Sequence, residues 1–99
     1  MKKFVYVYYA GPDTDAGDNA AWEAWFGQLG KTLVDPGNPF LPGGKAVHNG
    51  GVMDVKEMPV TGYSIINAES MDEAVELAKG SPLTKDNNGA VCVYEAIPM

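Results

Sequence analysis

The sequence predicts a single α+β domain in which two helices pack on one face of an antiparallel sheet. Three observations carry this. The chain has 99 residues, enough for one core and too few for two. The stretches KFVYVYYA, VTGYSIINA and AVCVYEAI are rich in β-branched and aromatic residues and read as strands. Between them, apolar residues recur at helical spacing around Trp22 and again around Ala74.

Strand one spans Lys3 to Ala10 and is followed by Gly11-Pro12-Asp13, which is turn chemistry. Trp22, Trp25, Phe26, Leu29 and Leu33 then lie at i, i+3, i+4, i+7 and i+11, one apolar stripe on one helix. Asp15, Asp18 or Asn19 can cap its N-terminus, and Asp35-Pro36-Gly37-Asn38-Pro39 ends it. From Phe40 to Glu57, Pro42-Gly43-Gly44 and Asn49-Gly50-Gly51 break any periodicity. Only Lys45 to His48 looks extended there, which makes it a short strand two in a loose hairpin. Val60 to Ala68 is strand three, and Ser70 with Glu73 forms a capping box for the second helix. Met71, Ala74, Val75 and Ala78 make the inner stripe of that helix, and Gly80 and Pro82 stop it. Ala90 to Ile97 closes the chain as strand four. The order βαββαβ interlocks two right-handed crossovers into the ferredoxin-like arrangement, with both helices on one side of the sheet.

Reading the strands at period two divides their residues between two faces. Val5, Val7, Ser64, Ile66, Ala68, Val91 and Val93 form an aliphatic or small set suited to the helices. Phe4, Tyr6, Tyr8, Tyr63, Ile65, Cys92 and Tyr94 form a tyrosine-rich set on the open face. An apolar body with a polar tip suits an interface, a pocket or both.

Seven basic against thirteen acidic residues give a net charge of −6, which repels phosphate backbones and anionic lipid, so neither nucleic acid nor membrane is an expected partner. Met1-Lys2-Lys3-Phe4 leads straight into a strand, so no signal peptide is expected. The lone Cys92 cannot make an intrachain disulfide, which fits a reducing cytoplasm.

His48 has the one side chain whose ordinary pKa lies near neutrality, the first choice for acid-base catalysis. The alternative is an ordinary edge or loop histidine, because no residue at fixed spacing supplies an orienting partner. Tyr6, Tyr8 and Tyr63 can line a small-molecule pocket and exchange hydrogen bonds with its occupant; packing against a second copy is the competing role. Asp13, Asp15 and Asp18 invite a calcium loop, but Asp18 stands where such a loop needs glycine and Ala24 where it needs glutamate. They read as a solvated turn and a helix cap. No His or Cys cluster offers zinc geometry, so no metal or cofactor is expected. Cys92 reads as a buried small hydrophobe. The paired glycines lack the strand-turn-helix setting of a phosphate loop. Trp22 and Trp25 belong to the helical stripe and hence to the core, although one of them could border a cavity mouth.

The opening KFVYVYYAGP, the segment WEAWFGQLGKTLVDPGNPF, and TGYSIINAESMDEAVELAKGSPL with the terminal VYEAIPM together make the chain resemble the YCII-related proteins, which include the DGPF-motif proteins, within the dimeric α/β-barrel superfamily. The resemblance implies a ferredoxin-like protomer whose open sheet face meets that of a second subunit and encloses a cavity. Some members carry a His near the start of the first helix, paired with an Asp, that looks like a catalytic acid-base pair, and the wider superfamily includes muconolactone isomerases, so the resemblance also implies isomerase- or lyase-like chemistry. Here that segment is Asn19-Ala20-Ala21-Trp22, without histidine, so the chemistry does not carry over by residue. The DGPF tetrapeptide is also missing; Gly37-Asn38-Pro39-Phe40 is only superficially like it. The expectation is a small cytoplasmic homodimer that binds a small organic molecule in a tyrosine-lined cavity, with or without catalysis. The alternative is a non-catalytic dimeric scaffold or accessory module.

Overall fold

The computed structural model describes residues 1–11, 18–41, 43–55, 60–85 and 89–99. Pro12, Asp13, Asp15 and Pro42, to which the sequence assigns turn or capping roles, lie outside the described residues. In chain order the elements are Lys2–Ala10 (β1), Asn19–Leu29 (α1), Leu33–Asp35 (β2), Lys45–His48 (β3), Gly51–Asp54 (β4), Val60–Ala68 (β5), Met71–Ala78 (α2) and Gly89–Glu95 (β6).

Four strands form one antiparallel sheet in the order β2-β5-β1-β6. The crossovers β1-α1-β2 and β5-α2-β6 interlock across it, so the fold is the ferredoxin-like α+β type, the protomer fold of the dimeric α/β barrels. The N-terminus of α1 is closed by Asp18, whose carboxylate accepts from the Ala21 N–H at 2.8 Å. That of α2 is closed by Ser70, which accepts from the Glu73 N–H at 3.2 Å, the forward half of the expected capping box. Asp72 and Glu73 in the first turn of α2 favour the positive end of its dipole.

Two expectations about strands are corrected. Strand two of the sheet is Leu33–Asp35, not Lys45–His48. The helix stops four residues short of Leu33: the chain turns at Gly30 (φ 53°), and a single 3-10 turn follows over Gly30–Thr32. Leu33 pairs with Ile66 across the sheet and still packs on the core, so the helical spacing found its burial but not its element. Lys45–His48 instead pairs with Gly51–Asp54 in a separate two-stranded hairpin. Its tip holds Asn49 at φ 50° and Gly50 at φ 81°, the left-handed pair of a tight hairpin turn. Lys45 and Asp54 form an ion pair across the two strands.

The division of faces is also corrected, for β1 alone. The register pairs Tyr6 with Ser64 and Val93, and Phe4 with Ile66, so Phe4, Tyr6 and Tyr8 share the helix side with the residues assigned there from β5 and β6. Val5 and Val7 sit opposite Ile65, Tyr63, Tyr94 and Cys92 on the open face. Cys92 is accordingly half-exposed there rather than buried. A strand that is apolar on both sides gives no alternation, and a one-residue displacement inverts every side chain.

The core is Phe4, Tyr6, Tyr8, Trp25, Leu29, Ile66, Ala68, Ala74, Ala78 and Leu83. Ala74 and Ala78 keep α2 close to the sheet and leave room for the aromatic rings. Gly27 lies on the exposed side of α1 and a Cβ there would meet nothing within 4 Å. Gly27→Ala is therefore expected to stabilise the protein by about 0.5–1 kcal/mol through helix propensity, read as a higher urea midpoint at unchanged slope.

Candidate functional site

At the end of the sheet where β1 finishes and β5 begins, the chain after β2 folds back over the strand. The Phe40 N–H donates to the Thr61 carbonyl at 2.8 Å, and Pro39 makes an isolated antiparallel bridge to Gly62. This close approach depends on missing side chains. A Cβ on Gly37 (φ 73°) would overlap the Tyr63 carbonyl oxygen, and one on Gly62 would come within 2.9 Å of the Asn38 carbonyl. Asp35 fixes the turn by accepting the Gly37 N–H on Oδ1 at 2.8 Å.

Between this segment and the first turns of α1 lies a cavity of about 350 Å³, with Tyr8, Trp22, Phe26, Tyr63 and the 36–39 segment in its walls. Asn19 and Thr61 add polar groups. The aromatic wall is a continuous cluster: Tyr8 meets Trp22 edge-on at 5.0 Å, and Trp22 meets Phe26 at 5.8 Å and Trp25 at 5.7 Å. Phe40 lies 5.9 Å from Tyr63, ring centre to ring centre.

A chain of hydroxyls starts at Tyr8 in this wall. The Tyr8 hydroxyl donates to Ser64 Oγ at 2.7 Å, and Ser64 donates to the Pro36 carbonyl at 2.6 Å. Ser64 is fully buried, and this pairing satisfies it. The Thr61 hydroxyl donates to the Tyr8 carbonyl at 3.3 Å.

The three tyrosines singled out from sequence separate. Tyr8 and Tyr63 both line the cavity. Tyr6 does not; it is fully buried and donates to the Ala74 carbonyl at 2.6 Å, pinning β1 to α2. His48 is exposed at the end of β3 and is not among the cavity residues. Trp22 borders the cavity while Trp25 is core. Asn19, Phe26, Thr61 and the 36–39 segment were not legible as site residues, because the cavity exists only where the loop returns to β5.

Burial pushes the Tyr6 phenol well above its usual range, and the neighbouring Tyr8 adds to the shift. Burial also pushes Tyr8 up to about 12, against a smaller opposing effect of the Ser64 hydrogen bond. Both are neutral donors at physiological pH. A phenol whose folded pKa is raised stabilises the fold fully below its unfolded value near 10 and loses that contribution as pH climbs through the folded value. Stability should therefore fall between about pH 10 and pH 12, and the fall should be shallower in Tyr8→Phe. Urea denaturation at a series of alkaline pH values checks both slopes.

The model of the YCII-related domain family matches residues 3–99. No curated protein matches the sequence. Among solved structures, 5-chloro-2-hydroxyhydroquinone dehydrochlorinase from Burkholderia phenoliruptrix, in complex with 2,5-dihydroxybenzoquinone, is similar over 93% of this chain and 90% of its own, with 22% identity and a TM-score of 0.63. At that identity the likeness concerns the fold.

Proposed function

Because the chain belongs to the YCII-related domain family, we propose that it is a small homodimeric protein that binds a neutral, planar organic molecule in the cavity beside Tyr8. The observation that carries this reading is the cavity itself. Its volume of about 350 Å³ falls in the range of small-molecule sites, and its aromatic walls suit a six-membered ring. Among the described lining residues only Tyr8 and Tyr63 can ionise, and Tyr8 is held neutral by burial. A net charge of −6 adds a long-range bias against anions. The dehydrochlorinase of similar fold is described with a dihydroxybenzoquinone, a ligand of this shape.

Isomerase- or lyase-like chemistry fits the family but has no acid-base pair within the described cavity. A catalytic part for His48 would need the hairpin of a second copy to reach that cavity. The dimer is proposed through the open sheet face of Val5, Val7, Ile65, Cys92 and Tyr94. On that face Tyr94 is 56% exposed, apolar surface that a second copy would cover. Val47, Val52 and Met53 of the hairpin are all more than 60% exposed. A reducing cytoplasm suits the single cysteine.

The test is a thermal-shift panel of phenols, quinones and lactones, with keto acids as anionic controls expected to give no shift, and sedimentation on the same sample. A compound at a hundred times its dissociation constant should stabilise by about 2.7 kcal/mol, on the order of 10 °C at this size, and the protein should sediment as a dimer. A dimer shifted by none of these compounds would favour the scaffold reading, and a monomer would overturn the dimer.

A further inference from the structure

The cavity's hydroxyl groups have a direction. Pro36 offers Ser64 only a carbonyl oxygen, so in that bond the serine must be the donor. Having spent its one proton, Ser64 can only accept from Tyr8, so the phenol must donate to it. Thr61 spends its proton on the Tyr8 carbonyl in the same way. The Gly37 N–H is committed to Asp35. What Tyr8 and Thr61 still hold for a molecule in the cavity they line is lone pairs. Asn19 and Asn38 carry amides that can answer either a donor or an acceptor.

We propose that the Tyr8–Ser64–Pro36 relay makes the cavity selective for ligands that donate a hydrogen bond, phenols and enols, over ligands of the same shape that only accept. Ser64 is then a specificity-determining residue that never touches the ligand: by anchoring to the Pro36 carbonyl it fixes the Tyr8 proton inward. An acceptor-only ligand leaves the lone pairs of Tyr8 unmatched, whereas a hydroxyl satisfies them. The inference rests on the cavity being a ligand site, as proposed above.

The experiment compares phenol, which donates, with benzaldehyde, a planar ring that only accepts. Each is titrated into ¹⁵N-labelled protein, following the amide signals of Gly37 and Gly62 beside the cavity. Phenol is expected to bind about fivefold more tightly, the ratio set by one neutral hydrogen bond. Ser64→Ala frees the Tyr8 proton, so the ratio should fall to about one or invert through a gain for benzaldehyde. Tyr8→Phe should abolish the preference by a loss for phenol. Equal binding of the two probes by the unaltered protein, or a preference for benzaldehyde, overturns the proposal while leaving the cavity reading intact. Failure of both probes to move either glycine overturns the cavity reading and the proposal together. The comparison in the unaltered protein stands even if Ser64→Ala does not fold.

Discussion

Trp25→Ala is expected to cost about 4 kcal/mol and to lower the melting temperature by roughly 20 °C. Trp25 is 2% exposed and joins elements that are distant in sequence. Its ring stacks on Tyr6 at 5.8 Å, its indole N–H donates to the Leu77 carbonyl at the end of α2 at 3.0 Å, and Gly80 lies so close that an added Cβ would approach the ring to 2.9 Å. Alanine there opens a void that α1 cannot fill without breaking its contact with α2. The volume outweighs the hydrogen bond, because the Leu77 carbonyl also accepts the Gly80 N–H and would not be orphaned. Trp25→Phe should therefore recover more than half of the loss. A Trp25→Ala protein within 1 kcal/mol of the parent in urea denaturation would contradict this account of the core.

Gly37→Ala should cost about 3 kcal/mol, combining left-handed backbone strain with overlap. At φ 73° the added methyl falls on the Tyr63 carbonyl, which belongs to a central strand and cannot retreat. The segment must lift instead, taking with it the Pro36 carbonyl that holds Ser64 and the Phe40 N–H bond to Thr61. The loss is bounded by those contacts, so the sheet should survive. Far-ultraviolet circular dichroism should change little, while any ligand-induced rise in melting temperature should vanish. Retained stabilisation by ligand in Gly37→Ala would separate the 36–39 segment from the site.

The same segment shows what sequence could and could not reveal. Element types came through where period and punctuation agreed: β5 alternates, and Ser70 with Glu73 announces α2. The faces of β5 and β6 were readable because polar or small residues alternate there with large ones. β1 was inverted because KFVYVYYA is apolar on both sides, and only cross-strand register decides which tyrosines face the helices. β2 has three residues, and its Leu33 falls on the helical spacing of the preceding stripe. The hairpin was half seen: Asn49-Gly50 is turn chemistry, but the following Gly51-Val52-Met53-Asp54 is too short and mixed to read as its partner strand. The cavity was least legible of all, since Pro36, Gly37, Asn38 and Pro39 form a wall only by lying against β5.

The aromatic cluster gives the protein two reporters of different reach. It has only two tryptophans, one sealed in the core and one at the cavity, with ring centres 5.7 Å apart and planes inclined by 72°. Two indoles that close and fixed in a chiral arrangement should couple electronically, giving a near-ultraviolet circular dichroism band far stronger than isolated rings produce. Loss of tertiary packing would erase that band, whereas an occupant of the cavity would perturb mainly the emission of Trp22. Folding and occupancy can thus be followed separately in the unlabelled protein, with Trp22→Phe assigning the outer signal and leaving the inner one to monitor the core.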